Sequence, residues 1–356
     1  MAKKIRVAIA GVGNCASALI QGIQYYKSVH EQNSIGLTAY DLDGYTPVDI
    51  EFVAAFDVSD SKVGLDLAEA IFSNPNNAKK ISSVNTLDVK VNKGKVLDGV
   101  GRHLAEKITL SNSPTSNISE ILKDSKTDIL LNYLPVGSRE ATKFYAEQCL
   151  AAGVSFINAI PVFIASEPQW QKSFKDNNVL CAGDDVMSQV GATVVHKTLV
   201  KLFIDRGVKV DETYQLNIGG DMDFYNMLDD ERLEDKRISK TSAVEAMSPY
   251  SIPMRIGPSD FVESLENDKV CYINIRGKKF GNIPLELDLK LRVADAYNSA
   301  GIMIDAIRAT KIGLDRGLSG ALESVSSYCF KHPPIQMPYT KAKEKFLQFI
   351  NGERDT

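Results

Sequence analysis

Residues 5–22 read IRVAIAGVGNCASALIQG, which is a short apolar run, a glycine turn and a helix-compatible segment. The apolar run, with its β-branched side chains, predicts a buried strand. The next residues fit the pattern G-x-G-x-x-G/A, which allows a tight turn, close approach of a pyrophosphate and close packing of helix on strand. The N–H groups at the helix start attract phosphates. The predicted cofactor contacts here are Gly11, Gly13, Asn14, Cys15 and Ala16.

The composition indicates a soluble globular protein. Apolar residues make up 44% and charged residues 24% of the 356 residues, as in soluble globular proteins. No apolar run approaches the roughly 18 residues of a membrane span, and the net charge of −4 argues against binding to nucleic acid or to anionic membranes. The opening MAKKIRV leaves no room for a signal peptide. Five scattered cysteines without C-x-x-C indicate a reducing compartment, so we expect a cytoplasmic protein.

A second buried strand is predicted over residues 50–58, IEFVAAFDV, with Asp57 at its carboxyl end. An acidic residue at this place accepts hydrogen bonds from the adenosine ribose of a dinucleotide. Asp57 follows Gly11 by 46 residues, whereas the usual separation is about 20, which predicts an insertion in the first crossover. The alternative for Asp57 is a turn or helix-capping role.

Alternation of strands and helices continues to residue 204. Strands are predicted over 128–134, 154–163 and 179–188, and helices over 62–72, 117–124, 139–152 and 190–204. This pattern predicts a doubly wound, mostly parallel α/β sheet, in which ligands bind beyond the carboxyl ends of the strands. The candidates for ligand contact at these ends are Leu134, Pro135, Asn158, Asp184 and Asp185.

The pattern changes after residue 200. Residues 271–280 and 285–293 alternate apolar and polar side chains, which suits a sheet with one solvated or interface-facing side. A long apolar helix over 298–317 follows. We therefore predict a dinucleotide-binding domain over 1–199, an inserted α+β domain for catalysis and oligomerisation over 200–295, and a C-terminal segment over 296–356 that returns to the first domain.

Seven segments together resemble the myo-inositol-1-phosphate synthase family in its shorter bacterial and archaeal type. They are VAIAGVGNCASALIQG, LNYLPVGS, NAIPVFIAS, GDDVMSQVGAT, LNIGGDMDF, KRISKTSAV and DAYNSAGIMIDAIR. The resemblance covers essentially the whole chain. It implies a Rossmann-like fold, NAD as cofactor and a homotetramer. It also implies isomerisation of D-glucose 6-phosphate to 1D-myo-inositol 3-phosphate by oxidation at C5, enolisation, intramolecular aldol closure and re-reduction, within inositol biosynthesis.

The resemblance also implies a set of lysines. Its active-site lysines match Lys236, Lys240, Lys269 and Lys331, with roles in phosphate binding and in stabilising oxyanions near C5 and C1. We assign Lys236 in addition to proton transfer at C5–C6. Lys236 and Lys240 are four residues apart, so a continuous helix puts both on one face. Clustered lysines lower one another's pKa, which helps one of them act as a base.

The matching carboxylates are Asp185, Asp223 and Asp295. Asp223 and Asp295 are expected to orient lysines. Members of this family differ in whether they use a divalent metal ion (Zn, Mg or Mn), and Asp185 and Asp295 are the candidates for holding one. Two positions depart from the family pattern, because Met187 stands where a lysine is expected and Asp221 where an asparagine is expected.

Two other functions compete with this hypothesis. An NAD-dependent sugar-phosphate dehydrogenase shares the glycine loop but releases NADH at every turnover and does not need four lysines. A non-catalytic NAD-binding protein keeps the glycine loop and loses the lysines. Without the resemblance, Lys236 and Lys240 read as a solvated face of a charged helix.

Overall fold

Two β-sheets organise the chain, which a computed structural model describes over residues 3–28 and 34–356. The strands are β1 Ile5–Ala10, β2 Ile50–Asp57, β3 Val91–Lys93, β4 Ile129–Asn132, β5 Ser155–Asn158, β6 Leu180–Ala182, β7 Lys209–Gly219, β8 Met254–Phe261, β9 Asp268–Lys278, β10 Pro284–Ala294 and β11 Gly320–Ala321. The helices are α1 Asn14–Ser28, α2 Leu67–Ala70, α3 Arg102–Ala105, α4 Ile118–Asp124, α5 Arg139–Ala152, α6 Pro168–Asp176, α7 Ala192–Asp205, α8 Met222–Asn226, α9 Glu234–Glu245, α10 Asp295–Asp315, α11 Glu323–Cys329 and α12 Tyr339–Ile350.

The first sheet has seven strands in the order β11-β6-β5-β4-β1-β2-β3. Its paired strands are parallel. Strands β4 and β5 are buried at every residue, as expected for a sheet covered on both faces. The strand order reverses between β1 and β4, which is where open α/β sheets bind ligands. The predicted doubly wound sheet is therefore confirmed.

The turn after β1 depends on a glycine. Gly11 has φ +94°, and a Cβ built on it would lie 2.4 Å from the carbonyl oxygen of Tyr133, next to β4. Only glycine fits so close to another backbone in this conformation. A Cβ on Gly13, in contrast, meets no atom within 4 Å. The turn therefore brings α1 directly to the carboxyl end of β1, as the sequence predicts.

The first crossover differs from the prediction. Residues 62–72 contain only the four-residue helix α2, because the carboxylate of Asp66 caps it and also accepts hydrogen bonds from the N–H groups of Leu87 and Val89. These contacts draw the following polar segment back towards the helix. Residues 74–101 are all described by the structure, and strand β3 is the only helix or strand among them.

The second sheet has four strands in the order β10-β9-β7-β8. Helices α7 and α9 cover one of its faces, where Val200 and Val244 share a hydrophobic cluster with Ile273 of β9. The predicted alternating strands are present as β9 and β10, which pair antiparallel along their full lengths. Strand β8 and helix α6 were not predicted. No helix in residues 3–28 and 34–356 is long and apolar enough to span a membrane.

Helix α10 returns the chain to the first sheet. It packs against α1, and Met303, Ile307 and Ala309 are buried completely in the same core as β1. The chain therefore leaves the first sheet after β6, builds the second sheet and comes back through α10. The predicted domain boundaries at residues 199 and 295 stay a proposal, and α7 packs with the second sheet.

We expect Gly11→Ala to lower the free energy of unfolding by about 2 kcal/mol or more, because the new methyl group collides with backbone in a strained conformation. Gly13→Ala is the matched control and is expected to change stability by less than about 1 kcal/mol. Urea unfolding followed by circular dichroism measures both. Equal stabilities for the two variants would contradict this account of the turn.

Candidate active site

A cavity of about 260 Å³ opens at the carboxyl edge of the first sheet and is lined by residues from both sheets. One part of its wall contains the glycine loop and the turn after β4. Another part carries the four predicted lysines and three predicted carboxylates. The predicted residues in the wall are Gly11, Gly13, Asn14, Cys15, Asp57, Leu134, Pro135, Asp185, Asp223, Lys236, Lys240, Lys269, Asp295 and Lys331.

The glycine loop is fixed by Asp57, the last residue of β2, and by Lys62 in the segment after it. The Asp57 carboxylate accepts hydrogen bonds from the N–H of Val12 at 2.8 Å and of Ser59 at 2.9 Å. Lys62, which is 5% exposed, donates to the carbonyl of Val12 at 2.8 Å. Burial lowers the pKa of Lys62. The loop is thus held open towards the cavity, with an acidic residue beside it, as a dinucleotide requires.

Asp185 is the centre of the lysine side of the cavity. Its carboxylate is 1% exposed. One oxygen accepts from Lys331 Nζ at 2.8 Å and lies 3.5 Å from Lys236 Nζ, and the other accepts from the hydroxyl of Ser239. Burial opposes the charge on Asp185, but Lys236 and Lys331 outweigh it and lower its pKa to about 2. Asp185 therefore stays ionised and holds two ammonium groups in place.

The site shifts the pKa values of these lysines in different directions. Burial opposes the charge of Lys236, but Asp185, Asp223 and Asp295 outweigh it and raise its pKa. Lys240 is 5% exposed and has no carboxylate within ion-pair distance among the described residues. Burial and the three neighbouring lysines bring its pKa well below the usual value. Burial also lowers the pKa of Lys331, to about 8. Lys240 therefore gives up its proton more readily than Lys236, whose charge the neighbouring carboxylates stabilise.

Three carboxylates lie near Cys15 at one end of the cavity. Asp295 forms an ion pair with Lys269. Asp221 caps α8 by accepting from the N–H groups of Asp223 and Phe224. Burial, followed by Asp223 and Asp295, raises the pKa of Asp221 to about 7. Asp221, which stands where the family pattern has an asparagine, therefore binds a proton near neutral pH.

The carboxylates do not form a metal site. Both oxygens of Asp185 contact lysines or Ser239, and Asp295 is paired with Lys269. In residues 3–28 and 34–356, no group of three or more His, Cys, Asp or Glu side chains is placed to hold a metal ion. The prediction that Asp185 and Asp295 hold a divalent cation therefore does not fit, because ammonium groups take the place of the cation.

Two predicted cofactor residues lie away from the cavity wall. Asn158 is fully buried and forms hydrogen bonds with Asn132 and Asp184. It therefore joins the end of β4 to the segment after β6 and does not line the cavity. Ala16 is also fully buried and packs α1 on the sheet. Met187, at the other departing position, lines the cavity as an apolar side chain.

Sequence reasoning missed several residues of the site. Lys62 belongs to no sequence motif that would have indicated it. Ser239 lies between the two matched lysines of α9, and this position is the signal that could have indicated it. The start of α7 also lines the cavity, through Ser188, Gly191, Ala192 and Thr193. The glycine before this helix has no side chain to cap it.

Comparison with known proteins gives consistent findings. The sequence profile of the myo-inositol-1-phosphate synthase family matches residues 191–296. An inositol-3-phosphate synthase of Mycolicibacterium smegmatis is 49% identical over 359 residues, covering 99% of both chains. The crystal structure of Ari2 is 31% identical with a TM-score of 0.80, covering 98% of this chain and 99% of the other. The inositol-3-phosphate synthase of Caenorhabditis elegans is 15% identical with a TM-score of 0.80, covering 98% and 86%, which shows a shared fold.

We expect Asp221→Asn to stabilise the protein, and more so at pH 8 than at pH 5. Because the folded state raises the pKa of Asp221, the folded chain keeps a proton that the unfolded chain releases near pH 4. The unfolding free energy therefore falls as the pH rises from about 4 to about 7. Asparagine keeps the capping oxygen without the charge, and its gain reaches on the order of 2 kcal/mol at pH 8.

Thermal unfolding at the two pH values measures this difference. Asp60→Asn, at an exposed position, is the control for loss of an aspartate and should change the Tm less than Asp221→Asn at pH 8. An Asp221→Asn variant whose change in Tm is the same at pH 5 and pH 8 would exclude the proposed burial of a protonated carboxyl.

Proposed function

This chain belongs to the myo-inositol-1-phosphate synthase family and converts glucose 6-phosphate to inositol 3-phosphate, and we propose that the lysine cluster around Asp185 carries out this conversion. The observation that carries the proposal is the contrast within one helix. Lys236 is held as a cation by Asp185, whereas Lys240, one turn later, has no carboxylate partner among the described residues and a strongly lowered pKa. The site therefore combines a base with fixed cations.

The cavity suits NAD. Gly11, Gly13 and the start of α1 would hold the pyrophosphate, and Asp57 would hold the adenosine ribose. The open space at Gly13, where a Cβ would meet no atom within 4 Å, supports this placement. When bound, NAD supplies hydride acceptance and return at C5 of the sugar.

Proton transfer falls to Lys240. A neutral amine accepts the proton of the C5 hydroxyl, and a base works best when its pKa lies near the operating pH. This revises the assignment of proton transfer to Lys236, because three carboxylates keep Lys236 protonated. Lys236 and Lys331 instead face the oxygens at which negative charge develops during enolisation and ring closure. Fixed cations of this kind lower the barrier because they need no rearrangement.

The phosphate of the substrate binds at the start of α7. This helix has 14 residues, begins after Gly191 and carries no side-chain cap, so no capping side chain competes when its first N–H groups donate hydrogen bonds to an anion. Residues Ser188 and Thr193 add hydroxyl groups to the same wall of the cavity. Lys269 and Lys331 line the same cavity and add positive charge.

We further propose that the protein is a homotetramer whose subunits contact one another through the second sheet. The sheet face opposite α7 and α9 exposes Tyr214, Leu216 and Tyr272, each by 37–39%. Leu216 and Tyr272 lie directly opposite each other on β7 and β9. Aromatic and aliphatic side chains on an open sheet face are typical of subunit interfaces. A location in the cytoplasm is also proposed, and five free cysteines support it.

We expect Lys240→Met to lower kcat by about 10³-fold, because general base catalysis contributes roughly 10²–10⁴-fold. The assay supplies glucose 6-phosphate and catalytic NAD, follows NADH by absorbance and detects inositol phosphate by phosphorus NMR. The control is Lys201→Met, which removes a lysine that pairs with Asp205 on the outer side of α7. It should keep wild-type turnover.

Two results would contradict the proposed chemistry. Turnover of Lys240→Met within tenfold of wild type would remove Lys240 from proton transfer. Stoichiometric NADH with an acyclic oxidised sugar, from the wild-type protein, would identify a dehydrogenase instead.

We expect the double variant Leu216→Glu and Tyr272→Glu to break the tetramer, because opposed carboxylates repel across a desolvated interface. Light scattering after size-exclusion chromatography measures the mass. Leu347→Glu, on α12 and equally exposed at 37%, is the control. A tetramer that survives the double variant, or a monomeric wild type, would refute this interface.

A further inference from the structure

Residues 75–79, with the sequence PNNAK, lie between helix α2 and strand β3, and we call them the PNNAK segment. Pro75 and Asn76 line the cavity together with the glycine loop. These five described residues form no helix or strand, so the contacts of their side chains and backbone hold them in place. Those contacts reach to both sides of the cavity.

The glycine loop holds one side of the PNNAK segment. The amide oxygen of Asn14 accepts hydrogen bonds from the N–H groups of Asn77 at 2.8 Å and Ala78 at 2.9 Å. The amide nitrogen of Asn14 donates to the side-chain oxygen of Asn77 at 2.9 Å. Asn76 donates to the carbonyl of Val12 at 3.1 Å. The side chain of Asn14, at the start of α1, therefore holds the PNNAK segment over the end of the glycine loop.

The second sheet and α10 hold the other side of the segment. The amide nitrogen of Asn77 donates to the carbonyl of Gly220, directly after β7, at 3.3 Å. Lys79 Nζ lies 3.5 Å from the carboxylate of Asp268 at the start of β9, and the hydroxyl of Tyr297 on α10 donates to the carbonyl of Lys79. Each of these three partners is adjacent in sequence to a residue that lines the cavity, namely Asp221, Lys269 and Ala296.

The proposed reaction makes a particular demand on this part of the cavity. The cofactor takes a hydride from C5 and must return it after ring closure, so the reduced cofactor has to stay bound between the two transfers. A dehydrogenase, in contrast, releases NADH at every turnover. Slow release of NADH is therefore an advantage in the proposed cycle, and contacts that cross the cavity provide a means to achieve it.

We propose that the PNNAK segment retains NADH between the two hydride transfers, and that Asn77 is the positioning residue that links the glycine loop to the second sheet. The inference rests on the proposed function, in which the cavity holds NAD through a redox-neutral cycle. Early release would leave free NADH and a 5-keto sugar phosphate, because the hydride has moved from C5 to the cofactor and the hydroxyl proton to the base.

Asn77→Ala tests the proposal because it removes the side-chain contacts to Asn14 and to Gly220. We expect NADH to dissociate about tenfold faster, since each hydrogen bond is worth roughly two- to tenfold. Stopped-flow fluorescence of NADH, displaced from the full-length protein by excess NAD, measures this rate. During turnover with glucose 6-phosphate, the variant should also accumulate NADH in excess of that from the wild type.

Asn92→Ala is the matched control for the loss of an asparagine. Its half-buried amide donates to the carbonyls of Ala55 and Lys90, within the first sheet and outside the cavity wall. NADH should leave this variant at the wild-type rate.

Lys79→Ala tests the same link at an exposed side chain, where folding is not at risk. It removes only the ion pair with Asp268, and we expect NADH to dissociate about two- to threefold faster, as suits an exposed pair. Lys80→Ala is its matched control. It removes the same charge one residue later, but Lys80 lies over the ring of Phe72 and makes no ion pair with the second sheet among the described residues.

Dissociation of NADH at the wild-type rate from both Asn77→Ala and Lys79→Ala would overturn the inference. Equal acceleration in the matching control variants would also overturn it, since general loosening or lost positive charge would then be the cause. A wild-type protein that oxidises glucose 6-phosphate without forming inositol phosphate would instead overturn the proposed function.

Discussion

The buried carboxylate of Asp185 draws together parts of the chain that are far apart in sequence. Its partners are Lys236 and Ser239 on α9 and Lys331 after α11. An isolated charge in such a place costs several kcal/mol, and breaking a buried pair is costly for the same reason. The carboxylate and its partners therefore assemble together, and the second sheet is fixed against the first at the point where the chemistry takes place.

The backbone beneath Asp185 is held just as firmly. The neighbouring Asp184 accepts hydrogen bonds from Asn158, from the backbone of Ala165 and from Ser166. Further out, Arg139 forms a two-bond pair with Asp235 at 2.6 and 2.8 Å, which joins α5 to α9. Such a bidentate pair fixes orientation as well as distance. The turn after β4 thus contributes both to the cofactor cavity and to the contact between the two sheets.

The sequence predicts those features that follow from local pattern. The parallel strands are continuous apolar runs, the glycine turn has its spacing, and β9 and β10 alternate, so all three could be recognised. The shortness of α2 could not, because it depends on what the Asp66 side chain contacts across 23 residues. Strand β8 could not be predicted for a similar reason, because it is a strand through its pairing with β7.

The candidate site also has features that the sequence predicts and features that depend on contacts between distant residues. Motifs identify Lys236 and Lys240 together, and the helix does place both at the cavity. The opposite shifts of their pKa values could not be predicted, because they depend on which lysine the carboxylate of Asp185 reaches. Asn158 ends a strand as a ligand-binding residue does, but its amide accepts from the Asn132 side chain and donates to the backbone carbonyl of Val162. Position along a strand is thus visible in sequence, whereas hydrogen-bond partners are not.

The return of the chain through α10 has a consequence for synthesis on the ribosome. Strand β6 lies beside β11, whose residues come 138 or more positions later, and helices α10 to α12 complete the core on one side of the first sheet. The nascent chain therefore exposes part of this apolar sheet face, beside α1, until helices α10 to α12 have emerged. Exposed surface of this kind is prone to aggregation and to chaperone capture. Lys331 arrives in that last part, so no truncated product can complete the Asp185 cluster.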